Sequence, residues 1–390
     1  MKRFALITSG VIVLIGLAIG LGAFLPGREA VYDFIILYSA NLGVINRVPI
    51  YDTAAIIHLT ISRLALNGNF TLFPYPYPPW VALSTFYLGF LPVSWAANVW
   101  LLLNIAMLVG SALLISSAWK PIQRIFLSVA ALIFVPALGL IVVGQYTAPV
   151  LLGAALFVYA ARRRESALTA LGLLLMTFKP HVGLLLLPAG LVWLLFQKTT
   201  YARRAVWLTI AGGVLLAALG FIADPAWPLA YLHSLVSYSS LPGVAGRDLS
   251  ASLPVMLVKL VTGQTNTLWS NCLSMATILG ILLLFWRFKL LAGVETLVAG
   301  MTLLTLLGSP YLFNYDYVLL LLPLIYLARR VGSLPGRLAL AGIYALPWTS
   351  LVFSREANIL YACLALLLVI MLLGTHVEKH IDELPPIHYT

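Results

Sequence analysis

Four stretches of this chain set ionisable or amide side chains among apolar neighbours, and each suits the handling of a phosphate or a sugar. In "REAVYDFIILYSANL", residues 28–42, Asp33 stands with aliphatic and aromatic residues on both sides. A carboxylate near lipid is costly and usually functional. The alternative is a loop aspartate capping a helix that begins at Phe34. "LLMTFKPHVGLL" sets Lys179 and His181 between two apolar runs, with Pro180 separating the helices. An ammonium there suits a phosphate headgroup, or it simply snorkels from a helix end; His181 assists or packs. "LIVVGQYTAP" offers Gln145 and Tyr146, to hydrogen-bond a sugar or phosphate or to form a polar turn. "GSPYLFNYDYVLL" brings Tyr311, Asn314, Tyr315 and Asp316 to a further junction, where Asp316 is a site residue or the N-cap of a helix from Tyr317.

Two further stretches are less specific. "FPYPYPPWVAL", residues 73–83, includes Tyr77 and reads as an interfacial aromatic belt or as a rigid wall against an isoprenoid chain or sugar ring. Arg247 and Asp248 precede a short apolar piece and are expected to cap it. No glycine loop of nucleotide type, no His/Cys metal spacing and no nucleophilic serine motif is present, so a nucleotide-dependent enzyme is disfavoured. No metal or cofactor is expected.

The elements that must position these residues follow from composition. The 390 residues are 62% hydrophobic and 9% charged, with a mean hydropathy of +1.02. A soluble domain carries roughly 25% charged residues, so this chain belongs in lipid, where long non-alternating apolar runs mean helices. The fold class is therefore all-α, a polytopic transmembrane helical bundle. The net charge of +11 sits in short basic clusters between apolar runs and reads as orientation signal, with no nucleic-acid partner. Cys272 and Cys363 lie in apolar runs and indicate neither a disulfide framework nor a metal site. Residues 4–25 exceed a signal-peptide core and read as a retained first helix, with Gly16 and Gly20 as a packing face.

Apolar runs of spanning or near-spanning length lie near 4–25, 94–118, 125–143, 148–161, 166–178, 182–197, 205–222, 268–287, 291–308, 317–328, 338–352 and 358–374. Two shorter pieces, 77–91 and 251–263, are expected to be re-entrant or interfacial. With basic clusters inside, this gives about twelve crossings, both termini cytoplasmic and a long first outer loop over 26–76. The expected organisation is a transmembrane domain over 1–374 and a short cytoplasmic tail over 375–390, in a cytoplasmic membrane. Within that loop, the helix carrying Asp33 is expected to lie along the outer interface. Glu29, Asp33, Asp52, Asp224, Asp248, Asp316 and Glu356 then fall outside, opposite the basic clusters.

With these motifs in order, the chain resembles glycosyltransferase family 87, of polyprenyl-phosphate-mannose-dependent mannosyltransferase type. The resemblance rests on "DFIILYSANLGVINRVPIYD", "YPYPPWVALSTFYLGFLP", "VGQYTAP", "LTALGLLLMTFKPHVGLLLLPAGLVWLL" and "GSPYLFNYDYVLLLLP", which together cover most of residues 30–325. It implies the GT-C architecture, an outward active site and a lipid-linked sugar donor. Asp33 matches the family's acidic residue and is implied to be the catalytic base; Lys179 matches the lysine of the "KP" motif and is implied to face the donor phosphate, with His181 beside it. Gln145, Tyr146, Tyr77, Asp316 and Tyr311 are the substrate-binding candidates. The chain departs from the pattern where many members have histidine in the late "SP" motif and glutamine at position 181.

The implied reaction is a one-step inverting transfer of a sugar, mannose in the resemblance, to a lipid or glycan acceptor. Asp33 takes the acceptor's proton while Lys179 stabilises charge on the departing phosphate. A transporter or flippase of a lipid-linked sugar is the competing class, and would be expected to show paired repeats and broken helices near the midplane. A scaffold gains nothing from gathering these polar groups on one face.

Overall fold

The structure is a computed structural model that describes residues 33–65, 72–239, 250, 252–289, 292–351 and 358–382. The expected first helix at 4–25, with Gly16 and Gly20, and the Arg247–Asp248 pair lie outside these residues, as do Glu29 and Glu356. All described elements are α or 3-10 helices, with no strand among the described residues.

Three described helices are long and apolar enough to cross a membrane: Val93–Ile115, Thr200–Ala223 and Thr267–Arg287. A fourth candidate is the pair Pro121–Ile133 and Val135–Val143, bent by 59°. The bend has a covalent cause. Pro136 has no N–H to give to the preceding turn and its ring collides with a carbonyl there, and Phe134 takes an extended ψ of 126°. The remaining apolar runs form shorter helices, among them Thr147–Arg163, Ser166–Leu175, Leu186–Phe196 and Val294–Gly308. Of the about twelve crossings expected, three described helices, or four with the bent pair, are long and apolar enough to span a membrane, and the other described apolar runs hold shorter helices.

The short pieces stay short. Residues 77–91 hold a helix at Pro79–Thr85 and a 3-10 turn at Phe86–Phe90, and 251–263 hold Leu253–Thr262. Ten residues rise only about 15 Å, half a hydrocarbon core. The last helix, Asn358–Asp382, continues into the stretch expected as a tail.

Exposed Trp207, Val214, Leu283 and Trp286 give the long helices apolar outer surfaces, which a water-soluble monomer rarely presents on this scale. Inside them, Val294–Gly308 is buried along its length apart from Glu295 in its first turn, and apolar on most sides, the mark of a central helix. It anchors the larger hydrophobic core with Thr147–Arg163 and Leu321–Arg330. A second core gathers around Asp33–Asn46. That helix differs from the expected interfacial one: Phe34, Ile36, Leu37, Tyr38, Ala40 and Leu42 are all buried, so it has no lipid face.

The helices also sort charge to their ends. Thr147–Arg163 begins beside Gln145 and ends at Arg162 and Arg163, 17 residues or about 25 Å away. At that far end Glu295 bonds Arg162 at 2.9 Å and approaches Arg330 at 3.7 Å. The neighbouring Val294–Gly308 helix starts with that glutamate and ends at Ser309, next to Tyr311.

Candidate active site

Four helix junctions meet where the two cores touch. The first, Gly144–Tyr146, follows the bent pair. Gly144 takes the left-handed φ of 75°, and a Cβ on it would stand 2.8 Å from Phe34 Cβ. Only glycine meets both conditions without strain. The Trp100 indole donates to the Gly144 carbonyl at 2.8 Å, so Gln145 is delivered at a set position. The second junction is Lys179–Pro180. Lys179 is extended, at φ −131° and ψ 85°, as the residue before proline must be. Gly183 closes this turn against Met176, whose carbonyl would collide with any Cβ.

The third is the turn from Gly308 into the 3-10 helix Asn314–Leu320. Asp316 is the third residue of that helix, not the cap of a helix from Tyr317. One of its oxygens reaches back to accept from Phe313 N at 3.1 Å, which leaves the other for a partner elsewhere. The fourth is the start of Asp33–Asn46. Asp33 turns its carboxylate toward the other junctions: Gln145 Nε2 donates to Oδ2, and the Tyr315 hydroxyl lies 3.5 Å from the same oxygen.

Lys179 joins these pieces. Its ammonium donates to Asp316 Oδ1 at 2.6 Å, to Thr147 Oγ1 at 3.0 Å and to Gln145 Oε1 at 3.0 Å. All three of its protons are therefore committed. Thr147 donates in turn to Asp316 Oδ1 at 2.6 Å, and Tyr77 OH donates to Gln145 Oε1 at 3.2 Å. The Tyr315 ring lies 4.7 Å from Lys179 Nζ, in cation–π range.

Beside this network opens a cavity of about 440 Å³, lined by Tyr77, Gln145, Lys179, His181, Tyr311 and Tyr315 among others. The size suits a sugar phosphate. Its walls are aromatic: Tyr238 and Tyr311 touch through their hydroxyls at 3.2 Å, and Phe313 stacks on Tyr315 at 5.2 Å. His181 sets its ring edge-on to Tyr311. Its side chain is 36% exposed, while Nε2 is buried without a hydrogen-bond partner, 4.0 Å from Asp316 Oδ2.

The structure thus brings Asp33, Tyr77, Gln145, Lys179, His181, Tyr311 and Asp316 to one place. Asp33, Tyr146 and Asp316 do not line the cavity: Asp33 reaches its wall through Gln145, and the other two are fully buried. Tyr146 backs Tyr77, ring to ring at 4.3 Å, and Asp316 backs Lys179. Thr147 joins the network without having been singled out from the sequence, and Tyr315, named at the late junction, was not among the substrate-binding candidates. Tyr238, on Trp227–Ser239, carried no local signal at all.

The electrostatics differ between the two carboxylates. Both lie at junctions outside the candidate spans. Burial raises Asp33 above the ordinary carboxylate value, opposed by the Gln145 hydrogen bond and the Lys179 charge. Burial pushes Asp316 up too, but the Lys179 charge and the hydrogen bonds from Lys179 and Thr147 outweigh it and hold Asp316 below that value. His181 is lowered to about 4, chiefly by burial and then by Lys179, and is neutral near pH 7. One acid is therefore locked as a counter-ion, and the other is the more basic group.

No group of three or more metal-ligating side chains occurs among the described residues. The model of glycosyltransferase family 87 matches residues 75–310. The chain belongs to glycosyltransferase family 87. It is a membrane glycosyltransferase, and the match gives no support to a transporter. The matched stretch contains Tyr77, Gln145, Tyr146, Lys179 and His181 but neither Asp33 nor Asp316. The convergence of those two carboxylates on the family-87 stretch is thus an observation separate from the match. No curated protein and no solved structure matches the chain.

Proposed function

We propose that this glycosyltransferase moves a sugar from a polyprenyl-phosphate donor to a hydroxyl of a lipid or glycan acceptor, with inversion and with Asp33 as general base. Mannose is the sugar the sequence resemblance favours. The observation that carries the reading is that one amide, Gln145, bonds both the Asp33 carboxylate and the Lys179 ammonium at the wall of an aromatic cavity. The two charged groups are well within the span of a sugar phosphate.

The acceptor hydroxyl attacks the anomeric carbon from the face opposite the phosphate and gives its proton to Asp33. The bond from the anomeric carbon to the phosphate oxygen breaks, and that oxygen leaves with the electron pair. A departing polyprenyl phosphate needs no protonation, so one base carboxylate suffices. Lys179 faces the cavity while Asp316 stands behind it. The pair therefore presents its positive end to the phosphate as a fixed dipole, needing no rearrangement during reaction. His181 lines the same wall as Lys179, which supports a role for it beside the donor phosphate. The aromatic rings supply flat apolar faces for sugar and isoprenoid.

The site lies at the helix ends away from Arg162, Arg330 and their neighbours. With basic clusters in the cytoplasm, the cavity opens to the outer side of a cytoplasmic membrane. Proteoliposomes given radiolabelled polyprenyl-phosphate mannose and a membrane lipid extract test the proposal. Wild type should make a labelled product, and a folded Asp33→Asn variant should make none. Equal activity of the two removes Asp33 from the role of base.

A further inference from the structure

The Gln145 amide carries more bonds than a simple substrate contact would need. Its oxygen accepts from Lys179 Nζ at 3.0 Å, Tyr77 OH at 3.2 Å and its neighbour Tyr146 N at 3.3 Å, and its nitrogen donates to Asp33 Oδ2. Turned over, the amide would point N–H groups at an ammonium and at a backbone N–H, and a carbonyl oxygen at a carboxylate. An ammonium has no lone pair to accept with, so the flipped form exchanges its charged contacts for repulsions. Lys179 cannot swing away to relieve this, because Asp316 and Thr147 hold its other two protons.

We infer that Gln145 is the positioning residue of Asp33: Lys179 locks the amide so that its NH2 is committed to one oxygen of the carboxylate. The inference rests on the reading of Asp33 as base. Its two described donors, Gln145 and Tyr315, converge on Oδ2, and Oδ1 accepts from none of the described residues. One oxygen is thereby held, which leaves Oδ1 as the one to take the acceptor's proton. The interposed amide also explains how a base and a cation share so small a site. Direct contact of Lys179 with Asp33 would neutralise the base, whereas the amide passes on orientation without closing an ion pair.

The groups that face Asp33 are few in kind. The charged ones are Lys179 and Asp316. The others are tyrosine hydroxyls: Tyr77 from the segment before Pro79–Thr85, Tyr146 beside Gln145, Tyr238 from Trp227–Ser239, and Tyr311 and Tyr315 from the late turn. Burial raises all five, so they stay neutral over the range in which a carboxylate titrates, and the donor from Gln145 is the contact a substitution can remove cleanly.

The test is an infrared titration of the full chain in lipid vesicles, following the carboxyl band that disappears in Asp33→Asn. Loss of a hydrogen bond to a charged group should move the Asp33 midpoint up by about one pH unit or more in Gln145→Met. Should that variant not fold, Gln145→Glu keeps the shape and the bond to Lys179, and should move the midpoint further by placing a second carboxylate beside the first. The charge-neutral double change Lys179→Met with Asp316→Asn should also raise the midpoint, and should add little when Gln145→Met is already present. A midpoint unmoved by the change at Gln145, with Asp33→Asn inactive in sugar transfer, overturns the inference alone. An Asp33→Asn variant as active as wild type overturns the base role beneath it.

Discussion

Lys179 Nζ lies 2.6 Å from Asp316 Oδ1, and the two side chains are 2% and 0% exposed. Removing both charges from water costs several kcal/mol, so the pair adds little net stability. Its effect is selective. With Thr147 and Gln145 taking the remaining protons, only one arrangement of the three junctions satisfies every group, and all others strand a charge in an apolar interior.

Breaking the pair on one side is therefore expected to cost much more than removing it whole. Lys179→Met or Asp316→Asn alone should each lower stability by about 3–5 kcal/mol, and the double variant should recover most of that. Thermal unfolding in detergent, read as a double-mutant cycle, decides this. Additive losses would mean the two groups are not coupled.

Asp33 should trade stability against activity. Its folded pKa is raised above 3.8, so the folded protein holds this proton more tightly than the unfolded chain. Between the ordinary and the raised value, stability falls as pH rises, while the fraction of active base grows. Asp33→Asn, which keeps an oxygen for Gln145, is expected to raise the unfolding midpoint at pH 7 and to reduce transfer by at least about 100-fold. Asp316 has the opposite sign: its pKa is lowered, so its contribution is present above the ordinary value and is lost as acid protonates it.

His181 should leave no mark on the activity profile near neutrality. Its value falls from 6.5 to about 4, so it contributes stability above the ordinary value that is lost as pH drops toward 4. A rate profile measured between about pH 6 and 8 should keep its shape in His181→Gln while the rate falls. An inflection near the ordinary histidine value that vanishes in the variant would show a charged His181 in the reaction.

The turn that delivers Lys179 should tolerate no side chain at Gly183. Gly183→Ala drives a Cβ into the Met176 carbonyl, and the backbone shift should cost about 1–3 kcal/mol and displace the ammonium. Gly213→Ala, in the middle of Thr200–Ala223 with nothing near its Cβ, is the matched control. It should be neutral or stabilise by up to about 1 kcal/mol.

The apolar runs located most helices, because a 15-residue stretch such as Val294–Gly308 carries its own hydrophobic signal. Prolines and glycines likewise marked the junctions at Gly144 and Pro180. What local pattern does not hold is which junctions meet. Lys179 read as a phosphate ligand or a snorkelling lysine, and nothing within ten residues of it names Asp316 as its partner. The burial of Asp33–Asn46 was hidden for a related reason: a helix apolar on every side reads the same whether lipid or protein covers it. Thr147 was passed over, and Tyr315 was named but given no role, because a hydroxyl beside a more reactive neighbour has no distinguishing spacing of its own.

The distance along the chain between Lys179 and Asp316, 137 residues, has a bearing on biogenesis. A ribosome makes the ammonium well before its counter-ion exists, and in that interval the Lys179 segment has no low-energy resting place in hydrocarbon. Its stem is expected to hold the charge at the aqueous boundary until the last third of the chain arrives. Sealing of the site is then a late event in assembly, and it reports that the two ends of the bundle have found each other.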